Sequence, residues 1–167
     1  MRRQISPDEL DSLYCSIGKC VWHLQYVEDA LQTLLTLKVD IKAPGGVTEA
    51  EAKELLAKHR RATLGTSLRT AEKHNALPME VMSRLSQFKE ERDWLVHKSV
   101  NKDGEGLYTS EGRSAIFGRL NAFVDEAMSL QRALGLEVAT FIESHGLSVA
   151  KVDELGRQKI ARLKGNV

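Results

Sequence analysis

The sequence predicts an all-α domain, an up-and-down antiparallel bundle of four long helices with a short C-terminal helix after them. Three observations carry that expectation. Apolar residues recur at alternating three- and four-residue spacing over stretches far longer than an ordinary globular helix. The 3 Pro and several of the 12 Gly fall between those stretches, where they reset chain direction. Hydrophobic residues at 42% and charged residues at 28% give the balance of a folded helical chain, and no repeat or low-complexity tract divides it, so residues 1–167 read as one domain.

The first helix starts at Ser6-Pro7-Asp8-Glu9, where Ser6 caps, Pro7 suits the first helical position and Glu9 completes a capping box. It should reach about Lys38 with Leu10, Leu13, Ile17, Cys20, Leu24, Val27, Leu31 and Leu34 inward. Lys42 to Gly46 breaks it. Thr48 and Glu51 form a second capping box, opening a helix expected from Glu49 to His74 with a weak point at Gly65. A third helix follows Pro78 and runs to about Ser99, and Asn101 to Gly106 reads as a loop. The fourth helix spans Ser110 or Arg113 to Ser144, and a fifth Val149 to Lys164.

Composition also excludes classes of function. Net charge is +1, from 24 Lys+Arg against 23 Asp+Glu, so there is no global basic field and any nucleic-acid contact must be local. Cys15 and Cys20 sit on one helix and point too far apart to bridge, so both are expected as reduced thiols. Met1 to Pro7 is followed by acidic residues, and no apolar run is long enough to cross a membrane, which makes a cytoplasmic location the expectation.

One residue does not fit its seam. On the third helix Val81, Leu85, Phe88, Arg92, Leu95 and Ser99 continue one series, so Arg92 holds a place the pattern reserves for an apolar side chain. A guanidinium there must reach outward, meet a carboxylate such as Glu28 or Asp29, or line a cavity that admits an anion. His97 lies five residues on, about 140° around an ideal helix. The two converge only if the helix unwinds near Val96 or a second chain supplies one of them. Asp93 is one turn before His97 and could hydrogen-bond its ring.

Arginine, histidine and a carboxylate suit phosphodiester chemistry, the first stabilising charge on phosphoryl oxygens and the second moving a proton near neutral pH. His23, His59, His74 and His145 show no zinc spacing, and no phosphate-cradling Gly-rich loop is present, so neither metal nor cofactor is expected. Lys98 and Lys102 could add an RNA-attracting rim, while Lys89 is expected as solvated charge. Trp94 is better read as a packing residue than a base-stacking one. The run Lys58-His59-Arg60-Arg61 and the basic fifth helix read as solvated faces.

The segment Arg92-Asp93-Trp94-Leu95-Val96-His97 resembles the defining motif of the HEPN superfamily, an arginine followed by four to six residues and a histidine, often with a polar residue directly after the arginine. The resemblance extends to the motif's place at the carboxyl end of a late helix in a helical bundle. It implies metal-independent RNA cleavage at the cleft of a homodimer, with Arg92 and His97 catalytic and Asp93 supporting. It further implies a toxin, antiphage or RNA-processing setting, in some cases with a cognate antitoxin. Family members paired with nucleotidyltransferase antitoxins often carry a tyrosine two residues after the histidine, where this chain has Ser99, so tyrosine modification is not expected. The alternative is a noncatalytic helical interaction module that uses the same cleft to hold a partner.

Overall fold

A computed structural model describes residues 2–165, and every described regular element is helical. In chain order these are α1 (Pro7–Leu35), α2 (Glu49–Arg60), α3 (Leu64–Lys73), α4 (Met79–His97), α5 (Ser99–Asp103), α6 (Ser110–Ser144) and α7 (Val149–Leu163). A π-helical turn, Thr36–Ile41, extends α1, and a 3-10 turn, Gly104–Tyr108, follows α5. Both capping boxes form, Ser6 with Glu9 and Thr48 with Glu51, each satisfying two otherwise orphaned backbone donors.

The core is the set of seams read from the sequence. Leu24, Val27, Leu31 and Leu34 of α1 face Leu120, Phe123, Ala127, Leu130 and Leu134 of α6, and all are buried. From α4, Leu85 and Phe88 close the middle, where the Phe88 and Phe123 rings stack with centroids 4.6 Å apart.

The directions of these helices depart from a strictly alternating bundle. Arg113 lies 3.3 Å from Glu9, Cys20 donates to the Leu120 carbonyl, and Lys38 pairs with Glu137 at 2.8 Å, so residue numbers rise together and α1 and α6 run parallel. Helix α4 runs against α6, as Arg119 with Glu91 and Arg84 with Glu126 show. The physical origin is an extra corner. The helix expected from Glu49 to His74 is two helices, broken at Arg61 to Thr63 and restarted by the Thr63 hydroxyl accepting from the Thr66 amide. The break falls just before Gly65, and the added segment changes the count of reversals between α1 and α6.

The corner is fixed by side chains that the sequence presented as solvated. His59 is buried, its Nε2 2.5 Å from Asp40, and Arg60 donates to Asp29 at 2.8 Å. The π-helical turn carries Asp40 to His59 and Lys38 to Glu137 and to the Ala76 carbonyl. Beyond it, Lys42 closes the element with a positive φ of 61°.

The predicted loop at Asn101 to Gly106 is helical instead. Its glycines carry little intrinsic preference for helix, but tertiary contacts override that. Asp103 accepts a hydrogen bond from the Trp94 indole, and Leu107 packs on the core. Helix α7 differs from the rest: Val152, Leu155 and Ile160 are exposed, and no residue of the helix is buried.

Both thiols are free. Cys15 is exposed, whereas burial pushes the Cys20 thiol up to about 11, keeping it protonated and inert.

Glu9 fastens the chain's beginning to α6. Its carboxylate accepts from Arg3 at 2.5 and 2.6 Å and from the Ser6 amide at 2.9 Å, and these bonds, Arg3's first, lower its pKa from 4.5 to about 2. A group depressed on folding contributes stability above its unfolded pKa and loses it as pH falls through the folded value. Between pH 4.5 and 2 the thermal midpoint of the native protein is expected to fall more steeply than that of Glu9→Gln. Parallel slopes in a melting series across that range would show that this cap contributes nothing.

Candidate functional site

Arg92, Asp93 and His97 occupy the last two turns of α4. The seam of α4 turns Leu85, Phe88 and Leu95 inward, and the same face delivers Arg92 against α1. Its side chain is only 17% exposed, with Nη1 2.9 Å from Asp93 Oδ1 and Nη2 4.0 Å from Glu28 Oε1. Of the three routes open to a guanidinium in a seam, this one takes the carboxylate route. Glu28 is the acid that meets it, while Asp29 is engaged by Arg60.

Asp93 does not hold His97. One carboxylate oxygen accepts from Lys89 at 2.7 Å and the other from Arg92, and neither accepts from the His97 ring. Lys89 is therefore an ion-pair partner rather than free solvated charge. Its hydrogen bond is the main cause that holds Asp93 below the usual carboxylate range, with the fields of Arg92 and His97 adding to it. His97 is thus within electrostatic reach of Asp93 without touching it.

His97 is the last residue of α4 and is exposed, and no hydrogen bond to its ring is found among the described residues. The helix stops there because Lys98 leaves helical geometry, at φ −127° and ψ −17°, before α5 begins. Arg92 and His97 consequently have different surroundings within one chain, the first against α1 and the second in solvent. Lys98 and Lys102 are exposed one turn apart across the α4–α5 junction, joined by the Lys102 amide to the Lys98 carbonyl at 2.9 Å. They add two cations beside His97.

Trp94 supports this corner from behind. Its ring is buried, its Nε1 donates to Asp103, and the Arg119 guanidinium stacks over it at 3.8 Å. Arg119 in turn holds Glu91 through two hydrogen bonds of 2.7 and 3.0 Å, tying α4 to α6. Arg119, Glu91 and Asp103 could not be paired from sequence, since they lie on three separate elements. The signal available was the indole N–H itself, which needs an acceptor once buried.

An apolar cavity of about 90 Å³ lies beneath the junction, lined by Leu13, Ile17, Trp94, Leu95, Val100 and Leu107. Arg92, Asp93 and His97 take no part in its lining. A larger groove of about 500 Å³ borders Glu28 on α1, with Trp22 and Tyr26 as its exposed aromatic wall. Among the described residues no group of three or more His, Cys, Asp or Glu is arranged to hold a metal ion, and no helix is long and apolar enough to cross a membrane.

Comparisons of the chain with protein-family models, with curated proteins and with solved structures find no match.

Proposed function

We propose that the protein is a metal-independent endoribonuclease of the HEPN type, acting at a cleft between two copies of the chain. The observation that supports the reading best is an exposed histidine at the end of α4, free of intramolecular bonds to any described residue, five residues after an arginine that carboxylates hold in place. In this reading the 2′-hydroxyl of one nucleotide attacks the adjacent phosphorus and the P–O5′ bond breaks. A 2′,3′-cyclic phosphate and a 5′-hydroxyl remain. His97 takes the 2′ proton or delivers one to the departing 5′ oxygen, and Arg92 stabilises charge on the non-bridging oxygens.

Each group's environment suits its role. Arg92 makes one hydrogen bond to Asp93 and has Glu28 at 4.0 Å, so it keeps donors for an anion. Lys98 and Lys102 supply local positive charge in a chain whose net charge is only +1. A second copy supplies the missing convergence, because Arg92 of one chain and His97 of another are not bound by the angular separation on one helix. The biological setting of such a nuclease, as a toxin or a defence component with a protein antagonist, belongs to the same proposal.

A specific observation favours a second reading, a noncatalytic helical module that binds a protein or RNA. Arg92 already has Asp93 as a hydrogen-bond partner and Glu28 close by, which is enough to explain an arginine in a seam. RNA incubated with purified protein in excess chelator separates the two. The nuclease yields cyclic-phosphate ends from RNA, leaves the DNA analogue intact, and loses activity in Arg92→Ala and His97→Ala. Equal cleavage by all three proteins means contamination and removes the nuclease reading.

A further inference from the structure

Between α1 and the α2–α3 corner runs the groove of about 500 Å³ bounded by Trp22, Tyr26, Glu28, Asp29, Gln32 and Arg60. Its wall is aromatic and open: Trp22 is 61% exposed and Tyr26 46%, with ring centroids 6.0 Å apart in an edge-to-face pair. Helix α1 buries Leu24, Val27, Leu31 and Leu34 and leaves Tyr14, Trp22 and Tyr26 in solvent, and of these exposed rings Trp22 and Tyr26 stand side by side at the groove rather than in the core.

The groove's inner polar group is Glu28. Its side chain is 26% exposed, its nearest cation is Arg92 at 4.0 Å, and it accepts no hydrogen bond from any described residue. Its neighbours differ. Arg60 pairs with Asp29 through Oδ1 and Gln32 donates to the Ala62 carbonyl, so of the two carboxylates only Glu28 has both oxygens without a hydrogen bond from a described residue. A half-buried carboxylate without hydrogen bonds is costly, and the desolvation raises its pKa, with Arg92 opposing the rise. A ligand with two donors on one edge would remove that cost.

We infer that this groove is a base-binding subsite, with the Trp22 ring stacking a guanine, Tyr26 at right angles to it bordering the base, and the Glu28 carboxylate accepting from its N1–H and exocyclic N2–H. The choice of guanine follows from donor geometry. Two adjacent donors match the two acceptor oxygens of an ionised carboxylate. Adenine and cytosine each present one donor beside an acceptor on the pairing edge, and uracil one donor flanked by two acceptors. Aromatic rings stack any base, so the stacking wall gives affinity and Glu28 gives selectivity.

That the guanine belongs to RNA rests on reading the α4 motif as a nuclease. Glu28 and Arg92 are neighbours, so a base held by the first lies beside the guanidinium assigned to the scissile phosphate. The subsite would make cleavage occur next to guanine.

The test uses the full chain with guanosine, inosine and adenosine 5′-monophosphates, measured by equilibrium dialysis and by tryptophan emission. Trp22 is exposed and Trp94 is 3% exposed under Arg119, so emission changes report the groove. Guanosine monophosphate is expected to bind about tenfold or more tightly than the other two, because inosine lacks the N2 donor and adenosine lacks both. Glu28→Gln should erase that preference, and Trp22→Leu should weaken all three nucleotides about tenfold by dialysis. Circular dichroism checks both variants, and Trp22→Leu, at an exposed position, keeps the test open if Glu28→Gln does not fold.

Equal affinity for the three nucleotides, no binding of guanosine monophosphate, or an unchanged preference in folded Glu28→Gln overturns the subsite. RNA cleavage is assayed on the same samples. Nucleotide discrimination without cleavage removes the nuclease and leaves the base site, while cleavage without discrimination removes the base site alone.

Discussion

Under the nuclease proposal, His97→Ala is expected to fold like the native protein and to cleave RNA about a hundred to ten thousand times more slowly. Stability and chemistry separate at this residue. The ring is exposed, makes no hydrogen bond with any described residue and ends its helix, so its removal takes away nothing the fold uses. Exposed substitutions of this kind stay within about 0.5 kcal/mol. The structural contributions available, with the α4 carboxyl terminus and with the Asp93 carboxylate, are small at an exposed site. Urea unfolding and chelator-resistant RNA cleavage measured on one preparation give both numbers. A variant that retains full cleavage would mean that the imidazole transfers no proton and that the resemblance of the motif is not functional.

Arg92→Ala is a less clean comparison. Removing the guanidinium leaves the partly buried carboxylates of Asp93 and Glu28 without their shared cation, so stability falls, and under the nuclease proposal cleavage is expected to fall with it. The variant that divides them is Arg92→Lys. A lysine keeps one positive charge for the two acids but cannot present the planar pair of donors that suits a phosphoryl group. Recovery of the unfolding midpoint without recovery of cleavage would assign the guanidinium to the substrate. Recovery of both would reduce it to a point charge.

What the sequence made legible was local. Capping boxes at Ser6 and Thr48, the buried faces of α1 and α6 and the apolar run of α4 follow from spacing alone and appear as read. Arg92 stood out as a polar residue in an apolar series, and Glu28 was one of two acids expected to meet it. The parallel course of α1 and α6 was not legible, because it depends on the corner at Arg61 to Thr63, where the governing interactions are His59 with Asp40 and Arg60 with Asp29. Those pairs join residues far apart in the chain, and a basic run looks the same whether solvated or paired. The bond expected between Asp93 and His97 failed for a related reason: spacing of one turn permits several partners, and two cations with stronger claims, Lys89 and Arg92, were already within reach.

The remaining large effect concerns the support beneath the site, and its sign is opposite at two glycines of the same helix. Gly118 of α6 is exposed, and a methyl group added there would meet nothing within 4 Å, so Gly118→Ala is expected to stabilise by about 0.5–1 kcal/mol through helix propensity. Gly112, near the start of α6, gains the same propensity. There, however, a Cβ would lie 2.6 Å from the Gly106 Cα and 2.7 Å from its carbonyl carbon, both backbone atoms of the 3-10 turn. Neither can rotate away as a side chain would. The turn must move, and it carries Leu107, whose carbonyl accepts from Arg113 at 2.8 Å, and follows Asp103, which anchors Trp94. Overpacking against backbone outweighs propensity, and Gly112→Ala is expected to destabilise by about 1–3 kcal/mol or more. At this size that is roughly 2–4 °C of melting temperature per kcal/mol, with the Gly118 variant shifted the other way. Because the displaced turn sits behind Trp94, Gly112→Ala should also shift the buried indole's emission, whereas Gly118→Ala should leave it fixed. Two variants melting alike would mean that the close approach of Gly106 and Gly112 does not hold the α5 corner in place.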